Sequence, residues 1–370
     1  MTPAARSRLV LATAGVFLLV ACSDGEATTP RGEATFSPPP PAPASSTAAA
    51  PGGIDLSKPQ AIVSGLETPW GLAFLPDGSA LVSERDSGDI LRVPAGGGDP
   101  QRVHRVEGVD AGGEGGLLGI AVDPGYEQNK FVYAYYTASG DNRIIRFQLG
   151  QGRPRVILDG IDKARIHNGG RIAFGPDGFL YVGTGDAGNG SESQDRADLN
   201  GKILRITRDG TAAPGNPRAG SPVWSMGHRN VQGLAWGPDR KMYGIEFGQN
   251  TWDEVNVIEP GKNYGWPEAE GKQGDDRYAD PIVQWSTDEA SPSGAAVAGR
   301  TLYVAGLRGE RLWTVPLGGG EPRAALNGDY GRLRTVAVAP DGALWVTTSN
   351  RDGRGDPRDG DDRILRFAAR

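Results

Sequence analysis

Cysteine occurs once in the chain, at Cys22, and histidine three times, at His104, His167 and His228. A lone cysteine excludes an intrachain disulfide, so export into an oxidising compartment costs the fold nothing. No run of basic residues appears and the net charge is −6, which argues against nucleic acid as a partner. The apolar run Leu9 to Ala21 is too short to span a bilayer comfortably. No segment carries the periodicity of a long amphipathic helix.

What is present begins with an address. Arg6 and Arg8 precede the apolar run, the charge-then-apolar layout of a secretory signal. The run ends Leu19-Val20-Ala21-Cys22, which resembles the lipobox of bacterial lipoproteins. That resemblance implies a signal peptide over residues 1–21, lipidation of Cys22, and a protein anchored by lipid alone to the outer face of the bacterial cell membrane. Residues 22–53 hold Pro38 to Pro41 among Ala, Ser and Thr, a composition that buries no core and reads as a disordered tether. Residues 54–370 remain for a folded domain.

That domain repeats. Pro76-Asp77-Gly78, Pro176-Asp177-Gly178 and Pro340-Asp341-Gly342 each separate an apolar stretch from an alternating one, the pattern of a turn between strands. Asp123-Pro124-Gly125, Pro238-Asp239-Arg240 and Ala298-Gly299-Arg300 stand where further copies belong. A second motif follows each pair: Ile90 to Val93, Ile144 to Phe147, Ile203 to Ile206, Leu312 to Val315 and Ile364 to Phe367, with only the alternation kept at Glu254 to Ile258. Turns recur every 41 to 62 residues or so, about the size of a propeller blade. Six such units predict an all-β, six-bladed β-propeller, closed by a strand near Ala61 to Val63 lying beside Ile364 to Phe367. A two-sheet sandwich fits six equal units poorly.

In a propeller the loops between blades converge on one end of the channel, so long, glycine-rich, polar loops are the candidate site. Four segments from different repeats qualify: Gly112 to Gly116, the loop Ile166-His167-Asn168-Gly169-Gly170-Arg171, the stretch Trp224 to Trp266, and the late basic positions Arg308, Arg332 and Arg334. A neutral imidazole is the commonest proton acceptor near pH 7, and the adjoining arginines supply charge that does not titrate away. His167 read by itself is equally a hydrogen-bonded loop histidine.

The motifs Glu114-Gly115-Gly116-Leu117-Leu118-Gly119, His167 to Arg171, Gly201-Lys202-Ile203-Leu204-Arg205, Gly227-His228-Arg229-Asn230-Val231-Gln232-Gly233, Asn263-Tyr264-Gly265-Trp266-Pro267 and Ser291-Pro292-Ser293-Gly294 follow in order. Together they resemble the soluble aldose sugar dehydrogenases that use pyrroloquinoline quinone (PQQ). The resemblance implies oxidation of an aldose to a lactone, with His167 as the base, Arg229 and Asn230 at the quinone oxygens, and Arg332 and Arg334 as cofactor-binding arginines. Glu114 falls beside the cofactor, Arg308 replaces a usual lysine, and His228 buttresses its loop. It implies Ca2+ on the backbone oxygens of Gly248 and Gln249, and a second calcium at Glu254, the Tyr264 backbone and an acid such as Asp275. Asp275 and Asp276 read better as a solvated turn. An electron acceptor (quinone, cytochrome or dye) completes the cycle.

The chain departs from the family at Phe247, which replaces a polar residue, at Ile166, where some members carry an aspartate able to hold the histidine's tautomer, and at Thr335, which replaces an aspartate. These changes predict an altered substrate range or weaker cofactor binding. Two other functions stay open at this point: a calcium-dependent lactonase, which predicts carboxylates and asparagines converging on the axis, and a non-catalytic surface binding protein.

Overall fold

The Pro-Asp-Gly turns build the repeat through one residue. Asp77, Asp177 and Asp341 each accept the backbone N–H two residues on, at 3.0, 3.2 and 3.0 Å, closing a turn whose glycine sits at positive φ (83°, 79° and 82°). The other carboxylate oxygen takes an arginine from the third strand of the same blade: Arg92 on Asp77, Arg205 on Asp177 and Arg366 on Asp341. The arginine of the Ile-Leu-Arg motif is thus the partner of the turn. In the second blade the turn is Asp123-Pro124-Gly125, and Arg146 binds Asp209 at 3.0 Å instead.

The computed structural model describes residues 53–318 and 320–370; the expected signal peptide, Cys22 and nearly all of the tether lie outside them. The domain is a six-bladed β-propeller of four-stranded antiparallel sheets. The first blade runs Pro69–Phe74, Ala80–Glu84, Asp89–Val93 and Gln101–Arg105. Its first strand lies nearest the axis, and the first strands of the other blades, Leu117–Val122, Ile172–Phe174, Val231–Trp236, Pro292–Ala298 and Leu333–Val338, complete the inner ring. All six turns and all six third-strand motifs fall where the repeats predict. The outermost strand of the sixth blade is Gln60–Val63, paired with Ile364–Phe367 in the register Ala61 to Leu365, so both ends of the domain close the ring. Apolar layers fill the spaces between adjacent blades; one packs Trp70, Leu118, Tyr133, Ile172 and Leu204 together.

Around the axis the inner strands approach so closely that one position per blade is constrained. A Cβ on Gly71 would lie 2.8 Å from the Leu118 carbonyl oxygen, on Gly119 2.2 Å from that of Gly170, on Gly233 2.3 Å from that of Ser293, and on Gly294 2.8 Å from that of Arg334. The two blades without glycine there meet the same neighbouring carbonyl with a donor. Arg171 Nε donates to the Gln232 oxygen at 2.7 Å, and Thr335 Oγ1 to that of Trp70 at 2.6 Å. Arg171 Nη2 then reaches Thr335 Oγ1 at 3.2 Å, joining the third blade to the sixth, and its guanidinium stacks 4.3 Å from the Trp70 ring of the first. The axis is therefore bridged by a buried cation.

Gly119→Ala forces a methyl group onto a backbone oxygen that cannot step aside, and we expect a loss of about 1–3 kcal/mol in urea unfolding. Gly140→Ala, with open space around it, should stay within about 0.5 kcal/mol of the parent.

Candidate active site

The loop after the second blade carries His167 into the left-handed region, φ 55°, a conformation that a non-glycine residue adopts only under constraint from its surroundings. Three contacts impose it. Glu114 Oε2 accepts the His167 backbone N–H at 2.8 Å. Gly185 backs directly onto the His167 carbonyl, where a Cβ would lie 1.8 Å away. The Asn230 side-chain oxygen accepts the Gly169 N–H at 3.0 Å.

Two neighbours fix the imidazole itself. Nδ1 lies 2.6 Å from Asp186 Oδ1, and Arg229 Nη2 lies 2.8 Å from Nε2. A guanidinium only donates and a carboxylate only accepts, so both contacts demand the same tautomer, with the proton on Nδ1 and the lone pair on Nε2. Burial works to raise the pKa of Asp186, but the His167 contact and the N–H groups of Gly188 and Trp266 outweigh it and hold the group below the usual carboxylate range. Burial lowers the pKa of Arg229; its Nε donates to Gln249 Oε1 at 2.9 Å, and its guanidinium lies 5.4 Å from the Trp266 ring.

Arg332 and Arg334 share a single acid, Asp352, whose Oδ2 lies 2.9 Å from Arg332 Nη2 and 3.5 Å from Arg334 Nη2. Burial depresses Arg171 to about 9, with Arg334 adding to the effect, and burial depresses Arg334 to about 10 against the pull of Asp352. Two buried guanidinium groups thus repel one another beside one carboxylate, and the region calls for an anion. The same rim holds His167: Glu114, which accepts its N–H, pairs with Arg354 at 3.1 Å, and Asp352 Oδ1 accepts the Arg354 N–H. Asn230 Nδ2, buried at this junction, has no hydrogen-bond partner among the described residues. An orphaned donor beside excess positive charge fits a planar, polycarboxylate quinone.

Gly248 and Gln249 lie in a turn whose N–H groups face inward. Those of Gln249, Asn250, Thr251 and Trp252 all reach Glu270 Oε1, at 2.8 to 3.3 Å. In trans peptides this leaves the Gly248 and Gln249 carbonyls facing away from Glu270, the direction from which a hard cation would have to meet them. Glu254 is buried; burial and the neighbouring Glu246 push it up to about 8. It borders a cavity of ≈ 10 Å³ also lined by Glu246, Tyr264 and Glu270.

Several expectations are corrected here. Asp275 is not with Glu254: it caps an exposed turn, paired with Arg277 at 2.7 Å, and Glu270 is the acid beside the Glu254 cavity. The expected triad of Glu254, Tyr264 and Asp275 does not assemble, and among the described residues no three His, Asp or Glu side chains converge at metal-ligand distance. Arg308 stays outside the buried cluster, its side chain 61% exposed and paired with Asp288. Ile166 is exposed, and the tautomer-holding carboxylate is Asp186 instead. His228 does buttress its loop, fully buried between Ser225 and Glu246 at 2.8 Å each and stacked on Tyr264.

Asp186, Asp352 and Glu270 were missed from the sequence. Only Asp186 carried a usable signal, an acid in the glycine-rich run Gly183-Thr184-Gly185-Asp186-Ala187-Gly188 directly after a strand.

The glucose/sorbosone dehydrogenase family model matches residues 66–365. Among solved structures, the PQQ-bound form of an aldose sugar dehydrogenase from Streptomyces coelicolor is 55% identical with a TM-score of 0.82, covering 86% of this chain and 98% of that one. The structure of a putative oxidoreductase (glucose dehydrogenase) from Thermus thermophilus is 45% identical with a TM-score of 0.79, covering 85% of this chain and 100% of that one. An aldose sugar dehydrogenase of Escherichia coli is 29% identical over 78% of this chain and 89% of its own length.

The depressed pKa of Asp186 sets a pH signature. Its contribution to stability is present above the unfolded carboxylate value of about 3.9 and is lost as pH falls through the lower folded value. The difference in thermal midpoint between the parent and Asp186→Asn should therefore narrow below about pH 4; a constant gap would contradict an ionised, paired Asp186.

Proposed function

The chain belongs to the glucose/sorbosone dehydrogenase family, and from that premise we propose that it is an oxidoreductase that converts aldoses to lactones at the anomeric carbon, with PQQ as redox cofactor and calcium as its metal. One observation carries the reading. A histidine of fixed tautomer offers Nε2 beside Arg229, on the rim where Arg332, Arg334 and Asn230 Nδ2, without a partner among the described residues, gather.

When bound, the quinone supplies a carbon that accepts hydride, and calcium polarises its oxygens. Arg332 and Arg334 would hold its carboxylates, Arg229 and Asn230 its quinone oxygens, and the Gly248 and Gln249 carbonyls the calcium ion. His167 takes the proton of the anomeric hydroxyl as hydride leaves the same sugar carbon. To do so it must exchange the Arg229 Nη2 contact at Nε2 for that hydroxyl. Asp186 stabilises the imidazolium that results, and Arg229 keeps a positive charge beside the quinone oxygens it would hold. A buried arginine at the axis, rather than a set of carboxylates and asparagines, disfavours the lactonase alternative.

The sugar is an aldose, and electrons leave to a quinone, a cytochrome or a dye. The lipobox-like Leu19 to Cys22 supports export and lipid anchoring through Cys22, at the outer face of the cell membrane.

With PQQ and calcium added, His167→Ala should bind PQQ as the parent does but lose turnover by about 10²- to 10⁴-fold in dye reduction with aldoses; unchanged turnover would reject the base. Arg332→Ala should weaken PQQ binding about 30-fold or more in absorbance titration, because Asp352 loses its main partner as the cofactor loses a cation. Cys22→Ala should move the protein from the membrane fraction to the soluble one, and retention would reject the anchor.

A further inference from the structure

Among the described residues Asp186 is the only carboxylate on the His167 imidazole, and its own orientation is set from both oxygens. Oδ1 receives His167 Nδ1 and the Gly188 N–H, the latter at 2.8 Å; Oδ2 receives the Trp266 indole N–H at 2.8 Å. The indole is the only donor on Oδ2 among the described residues. Without it only the two contacts at Oδ1 oppose a turn of the carboxylate about its terminal bond, a broad and nearly two-fold torsion.

The backbone of Trp266 is held in turn. Gln194 Nε2 donates to the Trp266 carbonyl at 2.7 Å, Asn263 Nδ2 donates to Gln194 Oε1 at 2.7 Å, and the Trp266 N–H donates to the Gly227 carbonyl at 3.0 Å. Gln194 closes the short 3-10 helix Gly190–Gln194, so the loop after Asp186 reaches across to fix the residue that fixes Asp186. The ring of Trp266 also lies beside the Arg229 guanidinium, the second group on the imidazole.

We infer that Trp266 is a positioning residue for His167: its indole N–H locks Asp186 Oδ2, which keeps Oδ1 on Nδ1–H and leaves Nε2 as the nitrogen that accepts a proton. This rests on the reading of His167 as the base. The groups facing the imidazole are Asp186, Arg229 and, at its backbone, Glu114 paired with Arg354. None of them replaces the indole as a donor to Oδ2.

The test uses the scarcity of histidine. Protein labelled with 15N-histidine gives three imidazoles, and the His167→Ala spectrum identifies the one of interest. In the parent, without cofactor or sugar, His167 should show the Nδ1–H tautomer alone. Trp266→Phe keeps an aromatic ring but removes the indole N–H together with the five-membered ring that carries it. It should bring in a fraction of the Nε2–H tautomer, in molecules where the Arg229 contact at Nε2 opens, and lower kcat about tenfold or more, with KM and PQQ affinity within about twofold. Gln194→Ala, which frees the Trp266 carbonyl, should give the same changes in smaller measure and serves if Trp266→Phe folds poorly. An unchanged tautomer in both variants would overturn the inference, as would a loss confined to PQQ affinity. The tautomer readout needs no turnover, so a shifted tautomer together with full activity in His167→Ala would sink the assignment of the base and leave the contact between Trp266 and Asp186 standing.

Discussion

Everything in this propeller is arranged around the close approach of its inner strands. At one position in each blade the neighbouring carbonyl stands so near that the chain carries either no side chain, as at Gly71, Gly119, Gly233 and Gly294, or a side chain that hydrogen-bonds that oxygen, as at Arg171 and Thr335. Backbone carbonyls buried at an axis need donors, and one arginine answers by crossing from the third blade to the sixth. That arginine places a buried positive charge among the inner strands.

That charge explains how the rim is divided. Arg332 and Arg334 share one carboxylate, and Arg171 has none among the described residues, so this side is short of negative charge and suited to an anionic cofactor. On the other side Asp186 is committed to His167, and Glu246, Glu254 and Glu270 crowd around a small cavity where burial and mutual repulsion raise Glu254. Cations and carboxylates are thereby separated across a few residues, with Arg229 between them, touching His167 and Gln249 at once. A redox site that takes a proton at one atom and gathers negative charge at another needs this kind of polarity.

The repeat, and with it the fold, was readable in the sequence because its signals are local. A turn aspartate bonds two residues on, and the third-strand arginine returns to it within the same blade, so blade number and closure followed from spacing. His167, Arg229, Asn230, Arg332 and Arg334 could be singled out as candidates because each sits in a compact motif. Asp352 and Glu270 could not be, since each acts on a residue from another segment, and Asp186 carried only the weak signal of an acid in a glycine-rich run directly after a strand. Arg171 lay in a quoted motif with no role, because only ring closure brings Thr335 and Trp70 to it. Asp275 and Arg308 were suggested by position along the chain; in the structure they pair with Arg277 and Asp288 at the surface, outside the buried cluster.

The central claim is that one imidazole and a set of guanidinium groups address one cofactor from a common rim. A crystal structure of residues 54–370 loaded with PQQ and calcium tests it most directly. The account predicts His167 Nε2 and Arg229 facing the reactive end of the quinone, Arg332 and Arg334 on its carboxylates, and calcium on the Gly248 and Gln249 carbonyls. A cofactor seated at the opposite rim, or one lying with His167 turned away from it, would contradict it.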